Sequence, residues 1–238
     1  MRFPALLAAP VLLAAGACIP YATGTTALPA PQGQVVPSAS IYFIPGGAER
    51  LVEGDSTGGS YFGMDTEARF GLDERSDLGI RAPGFMGITV TYKRRMDGNP
   101  GLAGPALAYM VGAGVVNAGE HGHVEASLLA SGRQVEGAAG FTPYGGIKAM
   151  HVFPLVEDAV RDDPTVGVFA GVRIGTEAVA ISPEIAVFYD RSALGLRDRN
   201  WIIVPSFTLH GDELMRRIFG RPPPDPRRPP GYPPRPWP

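Results

Sequence analysis

Between Met64 and Leu209 apolar side chains recur at every second position, and this rhythm constrains the chain more than any single motif in it. Successive side chains of an extended strand point to opposite faces. Met64, Thr66, Ala68, Phe70 and Leu72 therefore share one face, and Asp65, Glu67, Arg69 and Gly71 share the other. A helix, with its period of ~3.6, would scatter both sets around its axis. The alternation returns along the chain. Strands are expected at 63–72, 77–82, 87–94, 106–115, 121–130, 143–153, 166–175, 179–190 and 201–210, with a weaker one at 40–45. Asp73-Glu74-Arg75, Pro83-Gly84, Asp97-Gly98-Asn99-Pro100, Asn117-Ala118-Gly119 and Gly175-Thr176 punctuate the series as turns.

One face is apolar with few exceptions, and Gly and Ala are common on the other. Many segments have the ~9–11 residues that a tilted strand needs to cross a bilayer. The fold class implied is all-β: an antiparallel, up-and-down transmembrane β-barrel with lipid outside and a polar lumen inside. Even strand number favours about ten strands, with eight if two weak candidates are loops. The expected barrel occupies 40–211. Ten strands would place both termini on the periplasmic side. Aromatic residues near strand ends (Tyr61, Phe62, Phe70, Phe85, Tyr92, Phe141, Tyr144, Phe153, Phe188, Tyr189 and Trp201) fit interfacial girdles.

Composition fits tightly turned strands better than a helical enzyme. Gly is 32 of 238 residues and charged residues are 18%, against typical values of ~7% and ~25%. A net charge of -2 gives no reason to expect a nucleic-acid partner.

The chain begins MRFPALLAAPVLLAAGAC, a single positive residue ahead of an apolar run that ends in small residues. That is the layout of a cleaved export signal over 1–17, too short and too broken to be a comfortable spanning helix. The one cysteine, Cys18, forbids an intrachain disulfide. Ala15-Gly16-Ala17-Cys18 resembles the lipobox of bacterial lipoproteins, although Ala15 stands where that motif usually has Leu. The resemblance implies lipid on Cys18. The plainer alternative is an ordinary A-x-A cleavage site with Cys18 incidental. Residues 18–39, rich in Pro, Ala, Thr and Gly without periodicity, are expected to form a lipidated, flexible tether. Residues 212–238 include RPPPDPRRPPGYPPRPWP, where four arginines face Asp225 alone. This proline-rich basic tail should be extended. It could reach the cell wall or a periplasmic partner.

No arrangement of residues points to catalysis, so the expectation is a protein that is not an enzyme, with no cofactor and no metal. Asp65, Glu67, Arg69, Arg81, Lys93, Glu125, Lys148, Arg173 and Glu184 fall on the inward face and should form a polar network filling the lumen. His121 and His123 alternate as a ligand pair would, with Glu120 and Glu125 nearby. His151 and His210 sit on distant segments, so a solvated pair is the simpler reading. Ser127 and Ser206 have no His–acid partners recognisable from spacing.

The run GMDTEARFGLDERSDLGIRAPG followed by GITVTYKRR is similar to small bacterial outer-membrane β-barrel proteins, in which a strand ending ARFGL, a charged turn and a strand beginning DLGIR recur. The resemblance spans roughly 40–211. It implies outer-membrane localisation, contact with outer-membrane lipid, and a structural, interaction or small-solute passage role. In that family the last strand usually ends the chain in an aromatic; here a long tail follows Phe207 and Leu209. Two alternatives stand beside it. A soluble, lipid-tethered periplasmic barrel binding an apolar ligand would carry the same alternation inside out. A barrel enzyme acting on lipid would need Ser127, Ser206, His123 or Glu125.

Overall fold

The computed structural model describes residues 19–44, 61–96, 105–132, 140–157, 164–175, 179–190 and 200–211. The expected export signal over 1–17, Cys18 and the expected tail over 212–238 lie outside the described residues. Ten strands follow in chain order: β1 (Val35–Ile44), β2 (Tyr61–Asp73), β3 (Ser76–Pro83), β4 (Ile88–Arg95), β5 (Ala106–Val116), β6 (His121–Ser131), β7 (Gly140–Pro154), β8 (Thr165–Gly175), β9 (Ala180–Asp190) and β10 (Asn200–His210). Each pairs antiparallel with its neighbours in sequence, and β10 closes on β1 to complete an up-and-down barrel. The closing seam is short, running from Ser38 opposite His210 to Tyr42 opposite Ser206. Closure removes the unpaired strand edges of an open sheet.

The turns follow from local chemistry. Arg75 donates its backbone N–H to the Asp73 carboxylate at 2.7 Å, an Asx-type closure of the β2–β3 hairpin. Asn117 opens the β5–β6 turn in the left-handed region at φ 52°, which Asn tolerates better than most side chains. The strand that departs furthest from expectation is β1, which starts five residues earlier than the alternation suggested. Pro37, paired opposite Ala68, sits within it.

The ends of β1, β3, β5, β7 and β9 define one rim, here the upper; the start of β1 and the end of β10 lie at the lower. Outward positions are apolar and exposed: Ile41, Ile88, Leu128, Ile147, Val168 and Ile203 are representative. Inward positions are polar and buried: Asp77, Arg81, Lys93, Glu125 and Lys148 are each under 5% exposed. This is the reverse of a water-soluble barrel. An apolar band of such extent matches the lipid-facing surface of a transmembrane barrel. The alternative with apolar side chains enclosing an apolar ligand is therefore not the arrangement found.

Of the expected girdle residues, Phe62, Phe85 and Trp201 are exposed near the upper rim and Phe141 near the lower. Tyr144 and Phe188 do not join them; both are buried inside the barrel. Tyr144 contacts Phe169, and Phe188 meets Tyr21 at 5.2 Å between ring centroids.

The largest difference from expectation concerns residues 19–34. They were expected to be part of a flexible tether. Instead, 19–30 run inside the barrel, and Tyr21, Ala22, Thr23, Thr26 and Ala27 are almost fully buried. The segment then turns at Gly33, pairs through Gln32 with Gly71, and enters β1. Because ten antiparallel strands start and end at one rim, Val35 and His210 are both at the lower rim. Ile19 is not: it packs against Val116, the last residue of β5, and Val152, near the end of β7. The described chain thus begins at Ile19 beside the upper rim and crosses the lumen before β1 begins at the lower.

Candidate functional site

The lumen holds the polar chemistry of the described residues. Its densest part is an ion-pair chain across β2, β3 and β4. Arg69 contacts Glu67 at 2.6 Å and Asp77 at 2.5 Å. Arg81 reaches Glu67 at 3.4 Å, and Lys93 reaches Asp77 at 3.3 Å. Gly79 leaves room for this crossing: a Cβ there would fall 2.5 Å from Glu67 Oε1 and 2.7 Å from Arg69 Nη1. A second group links β6 and β7, where Lys148 meets Glu125 at 2.9 Å and His123 lies 3.7 Å from the same carboxylate. Burying an ion is costly unless a partner and further hydrogen bonds compensate it. Glu67 and Arg69 pair along β2, and the other ion pairs cross between adjacent strands, so the sheet register itself sets those pairings.

The further hydrogen bonds come from the N-terminal segment, and they go mostly to its main chain. Lys148 donates to the Pro20 carbonyl at 2.5 Å and Arg81 to the Ala22 carbonyl at 3.3 Å. Lys93 donates to the carbonyls of Thr26 and Leu28 at 3.0 and 2.7 Å, and to the Thr25 hydroxyl. In the opposite sense, Glu184 accepts from the N–H groups of Thr23 and Gly24 at 2.9 and 3.0 Å. Asp77 accepts from Ala30 N–H at 2.7 Å, and Ser131 from Ala27 N–H at 3.2 Å. Backbone groups withdrawn from water need partners, and the wall supplies them. Above this layer, Tyr21 wedges between Tyr42 and Phe188, and Tyr42 donates its hydroxyl hydrogen to the Ile19 carbonyl at 2.9 Å.

Small side chains make the segment fit. Gly24 has φ +59°, and a Cβ on it would fall 2.5 Å from Thr208 Oγ1. At the lower rim a Cβ on Gly71 would collide with the Pro31 carbonyl oxygen. The segment therefore lies directly against β10 and β2.

The contacts above join seven of the nine residues expected to line the lumen, and Asp65 is buried beside them. Asp65 is 2% exposed, and neither of its carboxylate oxygens accepts a hydrogen bond among the described residues. The ninth, Arg173, is half-buried on β8. Three features escaped the sequence. Asp77 joins Arg69, Lys93 and the segment; it opens the strand expected at 77–82, and its parity with Arg81 was the available signal. Tyr144 donates to Glu184 at 3.0 Å. Ser182 and His210 form a 2.9 Å hydrogen bond between Oγ and Nε2 across β9 and β10.

None of this assembles known hydrolytic machinery. Ser127 Oγ and Ser206 Oγ are buried without a hydrogen-bond partner among the described residues. No group of three or more His, Cys, Asp or Glu side chains among them is arranged to hold a metal ion.

No protein-family model matches the sequence, and no curated protein is similar to it. Solved structures with a similar barrel include an outer membrane channel from Pseudomonas putida F1, 10% identical, covering 77% of this chain and 97% of that one, with a TM-score of 0.45. The outer membrane protein OprG from Pseudomonas aeruginosa is 13% identical, covering 78% and 99%, with a TM-score of 0.33. Ail, the attachment invasion locus protein of Yersinia pestis, is 11% identical, covering 74% and 96%, with a TM-score of 0.27.

Proposed function

We propose that the protein is an outer-membrane β-barrel whose lumen is closed by its own N-terminal segment, with a structural or interaction role in the envelope. The observation that carries this is the pairing of an apolar exterior with a charged interior already occupied by 19–30. Export by residues 1–17, lipid on Cys18 and a proline-rich tail engaging the cell wall or a periplasmic partner belong to the same proposal. The lower rim, where β10 ends, would face the periplasm.

Fractionation of the native envelope tests it. The protein should stay in the outer membrane through a carbonate wash and migrate differently on a detergent gel before and after heating. Purified into planar bilayers it should conduct poorly. Release by carbonate without a heat shift would sink the spanning barrel.

A second role, passage of small polar solutes, is favoured by one observation: the wall holds the segment through polar contacts that water can replace. Deleting 19–30 should then give a barrel that still shifts on heating but conducts steadily. A deletion variant that folds and remains closed would eliminate this role.

A further inference from the structure

We infer that the barrel carries its own N-terminal end across the membrane, so that the sequence ahead of Ile19 and the sequence after Gly211 stand on opposite sides. This rests on the membrane-spanning reading above, but not on which rim faces outward.

The argument is a path through the lumen. At its lower end, the segment is held by Gly71, near the end of β2, through Gly33 N–H to Gly71 O at 2.9 Å and Gly71 N–H to Gln34 O at 3.0 Å. Next come Asp77 at Ala30, near the start of β3, and Ser131 at Ala27, the last residue of β6. Both positions belong to the lower rim. Moving toward the N-terminus, the partners become Glu184, Arg81 and Lys148, and finally Tyr42, Val116 and Val152, which belong to the upper part. The β-strands that contribute these contacts surround the segment, so it is enclosed and does not lie along the outside. At the other end, Gly211 follows β10 and donates to the Pro37 carbonyl at 3.0 Å, which keeps it at the lower rim. A barrel of even strand number would return both ends to one side; the threaded segment is one additional crossing. The described chain therefore enters the barrel at the upper rim at Ile19 and leaves it at the lower rim at Gly211.

The test uses impermeant maleimide on whole cells. In a Cys18→Ser background, one variant carries a cysteine inserted directly before Ile19 and another a cysteine added after Pro238. One of the two should label in intact cells and the other only after the outer membrane is permeabilised. Labelling of both under the same condition, in protein that resists carbonate and shifts on heating, overturns the inference. Protein that is washed out and shows no heat shift overturns the membrane reading instead. The enclosure is checked separately by Ala27→Cys with Ser131→Cys in the same background. A disulfide should form in the folded barrel; a folded, heat-modifiable barrel with both thiols free overturns the threading.

Discussion

Two walls of the lumen solve the same problem differently. The wall from β2 to β7 carries long charged side chains, Glu67, Arg69, Asp77, Arg81, Lys93, Glu125 and Lys148, which pair with one another along β2 and across adjacent strands. The wall from β9 through β10 to β1 carries Ser38, Ser40, Ser182, Ser206 and Thr208, with Glu184 among them. Short hydroxyls let the threaded segment lie flat, as at Gly24 against Thr208. Long cations on the facing wall then span the remaining gap and end on its carbonyls. The segment thus touches Thr208 of one wall at Gly24 and is bridged by the Arg81, Lys93 and Lys148 cations of the other.

The comparison breaks first on the charged side. Asp77→Ala would leave Arg69, Lys93 and Ala30 N–H without their shared acceptor. Removing one partner of buried ion pairs costs about 3–5 kcal/mol, so the urea midpoint in lipid should fall by more than for any other substitution here. Glu184→Ala tests the acid of the other wall. It removes the acceptor of two segment N–H groups and of Tyr144, at about 2–3 kcal/mol for hydrogen bonds to a charged group. It should raise bilayer conductance as the segment loosens. Gly24→Ala introduces a Cβ in left-handed backbone, a strain of about 1–2 kcal/mol, plus the collision with Thr208. A lowered heat-shift temperature would show it. The smallest effect is expected for Ser40→Ala, which loses the 2.8 Å hydroxyl pair with Thr208, about 1 kcal/mol by denaturant titration. Were Ser40→Ala to cost as much as Asp77→Ala, the two walls would not differ as described.

The strands were legible because each faces two different solvents, and a period of two is the direct record of that. The segment 19–34 left no such record. The wall reads its carbonyls and N–H groups, and those are the same at every residue. What remains is a run of small residues and prolines, which is also the composition of a tether. Pro37 concealed the start of β1 in a similar way, since a proline in a strand argues against a strand. The lumen charges on β2 were visible by parity, and Arg81 of the neighbouring strand with them; the pairing of Arg69 with Asp77 was not, because register is fixed by turn geometry and the closing seam.

That seam has a consequence for assembly. The joint between β1 and β10 pairs only Ser38 through Tyr42 with Ser206 through His210. A ring sealed around a stretch of its own chain resembles a bead locked on a string. The thread must be laid in the groove before the ring shuts, or drawn through end first afterwards. If the N-terminus bears a bulky anchor, only the first order of events works, and this short joint is then the place where the barrel closes over its contents.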